Sequence, residues 1–287
     1  MSSSVTPPSS SGGLMPLLRA QPPWLIGSTV ALVLGCIILD VDKHLVPPRD
    51  APFYENDARL GHPVRHDTVP AWFVIVFAYS AYLPIALTAA MGAVASRGHN
   101  LRYWGSYDRP KGAQPCPTLL YYIFAVALVH FLTSVSKIYV GRKRPNFFAI
   151  CEYDFNASPK VPAFPGSSLI PANVKYCRRD PVGAMLSFPS GHSSLSWVSS
   201  TWLALELNAR PLAQCGFLLF ASFVACSRVV DFRHHPEDII AGSVLGGLGA
   251  FMVHRQMIRA HFVLESGLVS PLTGTPPGGK RSAQLAE

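Results

Sequence analysis

The chain has 287 residues, of which 49% are hydrophobic and only 14% charged. A soluble domain carries charge on about a quarter of its residues, so an ordinary soluble enzyme is excluded and segments able to cross a bilayer are implied. The net charge is +8, but the basic residues lie between apolar runs, without zinc-finger spacing or a basic helix. This argues against a nucleic-acid partner and leaves the membrane surface or an anionic ligand as what they meet.

Residues 1–22 are rich in Ser, Pro and Gly and read as a disordered tail, because they cannot bury enough apolar surface to fold. They lack the positive start of a secretory signal. Six membrane-spanning helices are predicted in residues 23–262: Trp24 to Val46, Ala71 to Ser96, Pro117 to Val140, Pro189 to Leu207, Leu212 to Val230 and Pro236 to Phe262. Each is near the ~20 residues that a bilayer core requires. Residues 263–287 read as a second disordered tail. The expected fold is therefore all-α, a polytopic bundle of six transmembrane helices.

In the first span, Asp40 and Asp42 are expected at the water interface. The fourth span carries Ser193, Ser194, Ser196, Ser199, Ser200 and Thr201, and the sixth carries Gly242, Gly246, Gly247 and Gly249. Small residues let helices approach closely in lipid, and hydroxyls bond across them. These two spans are expected to pack at the centre of the bundle, with the Gly242–Gly246 pair serving that contact rather than a dimer.

Six spans put both tails on one side and the loops 47–70, 141–188 and 231–235 on the other. The Lys/Arg count does not choose which side is cytosolic. Asn156-Ala157-Ser158 is a glycosylation sequon, followed by Pro159, and it is usable only in a lumenal loop. Cys151 and Cys177 fall in the same loop and either form a disulfide there or remain free thiols. Cys36, Cys215 and Cys226 lie in apolar runs and read as packing residues.

Three polar clusters lie at the membrane edge on that loop side: Lys137 to Arg144-Pro145, Pro189-Ser190-Gly191-His192, and Ser227-Arg228 to His234 and Asp238. Lys137, Arg144 and Arg228 supply positive charge suited to phosphate oxygens. Ser190 and Gly191 sit where a helix begins, and helix N-termini bind anions. His234 lies four residues before Asp238, close enough for a carboxylate to hold one imidazole nitrogen and leave the other to attack. His192 is placed to give and take the proton. Adjacent His234 and His235 diverge, and there is no HExxH and no carboxylate cluster, so no metal and no cofactor is expected.

Other polar residues receive plainer readings. Arg142 and Lys143 read as surface anchors, His235 as a helix-start residue and His130 as a hydrogen-bonded packing residue. Trp24, Trp72 and Trp104 read as interfacial belt residues, and Glu55, Asn56 and Asp57 as a solvated loop.

The three clusters resemble the signature motifs of the type 2 phosphatidic acid phosphatase family, the lipid phosphate phosphatases: KxxxxxxRP, PSGH and SRxxxxxHxxxD. Every fixed position is matched in order and spacing. The resemblance implies six membrane helices, cytosolic termini and a lumenal or extracellular active site. It implies His234 as nucleophile, Asp238 as its orienting partner and His192 as acid and base, with Lys137, Arg144, Ser190, Gly191 and Arg228 holding phosphate. The implied substrates are phosphatidate, lysophosphatidate, diacylglycerol pyrophosphate and sphingoid phosphates. The segment FRHHPEDIIAGSVLG looks most like the phosphatidate and diacylglycerol pyrophosphate branch. The rival readings are a lipid phosphotransferase on the same scaffold and a non-catalytic membrane scaffold or transporter.

Overall fold

The computed structural model describes residues 23–41, 45–83, 115–206 and 211–265. The tail 1–22, residues 84–96 of the second span, Asp42, Trp104 and the second tail from residue 266 lie outside the described residues. The helices are α1 (Pro23–Val41), α2 (Ala71–Ser80), α3 (Pro115–Val140), a short α4 (Phe147–Cys151), α5 (Gly191–Glu206), α6 (Pro211–Val230) and α7 (Pro236–Glu265). Pro23, Pro211 and Pro236 open their helices at the position where a missing N–H costs nothing.

This is an all-α membrane fold. Among the described residues, α1, α3, α6 and α7 are long and apolar enough to cross a bilayer. The helices α2 and α5, with 10 and 16 residues, fall short of that length. Within the described residues the first span is helical from Pro23 to Val41, and the sixth runs on to Glu265.

Helix α5 sits at the centre, against α7, α6, α3 and α2. Its Ser193, Ser194, Ser196, Ser199 and Ser200 are all fully buried. Glycines on α7 make this possible: a Cβ on Gly242 would lie 2.5 Å from the Ser190 carbonyl oxygen and 3.0 Å from the Ser193 Cβ. The two backbones are in contact there. Thr133 Oγ1 donates to Ser194 Oγ at 2.9 Å and Ser199 Oγ to the Ala78 carbonyl at 3.3 Å. Such cross-helix bonds contribute only about 0.6 kcal/mol each in a membrane, so close packing around Tyr122, Val126, Val198 and Trp202 carries the bundle. Leu34, Leu219 and Met252 point outward from their spans, where lipid covers them, and Trp24 and Trp72 are exposed near the helix starts.

His130 is indeed hydrogen-bonded, to Asp40 at 2.8 Å and to the Tyr79 hydroxyl at 3.1 Å. Asp40, expected to face water, is held by this pair and by Ser134.

The loops 45–70 and 141–190 fold together into a cap over one end of the bundle. Phe53–Tyr54 (β1) pairs antiparallel with Pro171–Ala172 (β2). Beneath lies a separate core of Phe53, Leu60, Phe147, Phe148, Tyr153 and Met185. Cys151 and Cys177 are joined as a disulfide within it. Gly141 takes a positive φ of 60° just after α3, and its missing side chain leaves room for the Arg49 backbone. Two plain readings are corrected here. Lys143 is not a surface anchor: it is buried, with Nζ 2.6 Å from Asp50 and from the Ala51 carbonyl. Glu55 is not solvated either; it is buried against Lys160 and the Tyr153 hydroxyl.

Candidate active site

The site forms where the cap meets the bundle. Three backbone positions bring the clusters together. The C-terminal turn of α3 carries Lys137, and a Cβ on Gly191, at the start of α5, would lie 3.2 Å from its Nζ. The Ser190 N–H donates to the Asp238 carbonyl at 2.9 Å, tying the start of α5 to the first turn of α7. The Arg144 N–H donates to the Ala184 carbonyl at 2.8 Å, fixing that residue to the cap. An ammonium thus rests beside a helix N-terminus, a combination that attracts anions.

His234 is buried on the turn between α6 and α7. Its Nδ1 lies 2.7 Å from the Ser187 carbonyl. A carbonyl only accepts, so Nδ1 carries the proton and Nε2 keeps its lone pair. The expected carboxylate contact is longer than a hydrogen bond, with Asp238 Oδ2 at 3.8 Å from Nδ1. Asp238 instead accepts from the Ser187 hydroxyl at 2.6 Å, the His235 N–H at 2.9 Å and Arg142 at 2.7 Å. It therefore holds the residue that holds the imidazole. Burial pushes the His234 imidazole down to about 3; Asp238 opposes the shift, while Arg144 and Lys137 add to it.

His192 Nε2 lies 3.0 Å from the Val69 carbonyl, which puts a proton on Nε2 and leaves Nδ1 outside that bond. The same carbonyl accepts from Arg228 Nη1 at 3.2 Å. Arg228 is buried and paired with Asp67 at 3.0 Å and Asp231 at 3.3 Å. Arg233 joins the same Asp67 oxygen at 2.9 Å. Arg144 is pushed down to about 10 by burial and by the nearby Arg233 and Arg228. The Nε of Arg144 and the Nε of Arg228 are buried with no hydrogen-bond partner among the described residues. Buried guanidinium donors left unpaired are costly, and a bound anion that accepts from them would remove that cost. Beside His234 opens a cavity of about 210 Å³, lined by Arg59, His62, Pro145, Phe232 and Glu237.

The family assignment follows from comparison with known proteins. The pattern of the PAP2 superfamily matches residues 118–262, about half of the chain, and includes all three clusters. This chain belongs to the PAP2 superfamily. Phospholipid phosphatase 1 of Mus musculus is 28% identical over a match covering 78% of this chain and 82% of that protein. A Drosophila melanogaster relative, whose name carries the words phosphatidate phosphatase, is 29% identical; the match covers 72% of this chain but only 61% of that one. A Schizosaccharomyces pombe relative, whose name carries the words diacylglycerol pyrophosphate phosphatase, is 27% identical, with 79% and 78% covered. No solved structure matches the chain.

Set beside the PAP2 pattern, the structure adds partners that the motifs do not contain. Arg142, read as an anchor, bonds Asp238 and also Glu237 at 3.2 Å. Ser187 holds His234 through its carbonyl. Asp67, Thr68 and Val69 lie outside the matched residues and still contact Arg228, Asp231 and His192. His235 keeps a structural part, with Nε2 3.1 Å from the Lys143 carbonyl. Asn156 is exposed on the cap. Among the described residues no three His, Cys, Asp or Glu side chains gather as a metal site.

Proposed function

We propose that this protein is an integral membrane lipid phosphatase that hydrolyses lipid phosphomonoesters through a phosphohistidine on His234. Its class, phosphoric monoester hydrolase, follows from PAP2 membership and from relatives named as phosphatases. The observation that carries the mechanism is His234 itself: a buried imidazole with its proton held on Nδ1 by the Ser187 carbonyl, beside unpaired Arg144 and Arg228 donors.

The steps are as follows. The phosphate sits between Lys137, Arg144, Arg228 and the start of α5 at Ser190 and Gly191. His192 takes up a proton on Nδ1 from the bound phosphate monoanion; His234 Nε2 then attacks phosphorus in line, and the bond to the lipid oxygen breaks as His192 gives that oxygen the proton. His192 then takes a proton from water, the water oxygen attacks phosphorus, and the P–N bond breaks to release inorganic phosphate. Charge builds on the three equatorial oxygens, where fixed guanidinium groups stabilise it. The relatives' names support phosphatidate and diacylglycerol pyrophosphate as the substrates to try first.

A six-span topology would put the site and cap on the side opposite the termini. The Cys151–Cys177 disulfide and the exposed Asn156 support a lumenal or extracellular cap.

The test is phosphate release from phosphatidate in detergent micelles with excess EDTA. Wild type should release phosphate, and His234→Ala should lose activity by about a thousandfold or more. Activity retained in His234→Ala sinks the mechanism. An added alcohol that becomes phosphorylated would identify a transferase instead.

A further inference from the structure

The segment 62–69, between β1 and α2, lies outside the part of the chain that the PAP2 pattern matches. Even so, it grips the turn that carries His234. The Thr68 N–H and hydroxyl both donate to Asp231, at 2.8 and 2.7 Å. Arg65 donates to the Val230 carbonyl at 3.2 Å, and its own carbonyl accepts from Arg233 at 3.1 Å. Within the gripped turn, Phe232 takes a φ of +56°. Bulky residues rarely adopt that conformation and keep it only where the surroundings hold them. Phe232 is held by a His62 ring stacked 4.3 Å away and by the Arg65 guanidinium 4.5 Å from its centroid. His234 follows two residues later, so this grip sets where the imidazole points.

Asp67 is the part of the grip closest to the chemistry. One of its oxygens accepts from both Arg228 Nη2 and Arg233 Nε. Asp231 and the Val69 carbonyl occupy Arg228 Nη1. Three bonds therefore orient the Arg228 plane, while its buried Nε–H has no partner among the described residues. A guanidinium has five donors in a fixed fork, so orienting it through one edge determines what the other offers. We propose that Asp67 is a positioning residue of the reaction: with Asp231 and the Val69 carbonyl, it fixes Arg228 so that Nε–H stays available to the transferring phosphoryl group. The inference rests on the reading of Arg228 as a phosphate ligand. Burial raises the Asp67 carboxyl, but Arg228 and Arg233 outweigh it and hold the group below its ordinary value, so the clamp stays charged.

The experiment compares full-length wild type, Asp67→Asn and Asp67→Glu in detergent, reading kcat, KM, vanadate inhibition and melting temperature. Vanadate mimics the five-coordinate phosphorus and reports fit to the transition state. Asp67→Asn should lower kcat about 10- to 100-fold, as misplacing one catalytic group does, with a smaller change in KM. Its vanadate inhibition should weaken in step with kcat/KM, and Asp67→Glu should fall between it and wild type. Unchanged kcat and vanadate inhibition in Asp67→Asn overturns the proposal. So does tighter vanadate binding, which would make Asp67 an internal anion competing with phosphate. If Asp67→Asn does not fold, Asp67→Glu decides, and wild-type kcat and inhibition there overturn the proposal. Wild type that neither releases phosphate nor responds to vanadate overturns the functional reading itself, and this inference with it.

Discussion

The bundle and the cap are held together by different physics. In the bundle, Gly242 lets α7 touch the backbone of α5, and buried serines and aromatic rings fill the space between helices. Lipid offers no hydrophobic drive between helices, so contact must come from small residues and close packing. The cap uses the tools of a small soluble domain: an aromatic core, a disulfide and ion pairs with one buried member, such as Lys143 with the half-exposed Asp50. The site lies at the seam. His192 and Arg228 come from bundle helices, Arg144 and Ser187 from the cap, and His234 from the turn between α6 and α7. Neither region carries all of the candidate residues.

This contrast can be broken at several points. A change in the bundle should remove the fold altogether. Gly242→Val puts a branched side chain where even a Cβ would lie 2.5 Å from a backbone oxygen, so no monodisperse peak is expected in detergent size-exclusion chromatography. A folded, active Gly242→Val protein would mean that the helices are not in backbone contact. A change at the seam should spare the fold and cut the rate. Arg142→Gln removes the cation 2.7 Å from Asp238; kcat should drop about 10- to 100-fold, with the melting temperature nearly unchanged.

A change in the cap should do the reverse. Cys151→Ser opens a disulfide whose partners lie 26 residues apart, a loss of about 3.5 kcal/mol by chain-entropy reasoning. Limited proteolysis should then cut between residues 152 and 176 while kcat stays within about threefold of wild type, as for a site remote from the change. The last effect concerns pH. The His234 imidazole is pushed well below its ordinary value of about 6.5, so the unfolded chain takes up a proton that the folded one refuses. Its contribution to stability is full above about pH 6.5 and is lost as pH falls toward about 3. His234→Asn should flatten the melting-temperature profile across that window, and an unchanged profile would show that His234 is not held neutral.

Much of this was legible in the amino-acid order. Apolar runs placed the long helices, because a bilayer demands about 20 apolar residues in a row. The serines of α5 and glycines of α7 marked the central pair, since only small side chains permit that approach. The three clusters singled out His192, His234, Asp238 and the three cations by residue type and spacing, and the roles proposed for them are what the resemblance to the lipid phosphate phosphatases implies. What the tertiary structure decided is which groups these residues meet. His234 donates to Ser187, 47 residues away, rather than directly to Asp238. Asp238 is held by Arg142 across 96 residues, and Arg228 by Asp67 across 161. The burial of Lys143 and Glu55 was equally invisible, because charged loop residues in isolation read as solvated. Helical periodicity and motif spacing report neighbours within a few turns. A hydrogen bond depends on ångström-scale proximity, and across such separations only the folded cap and bundle create it.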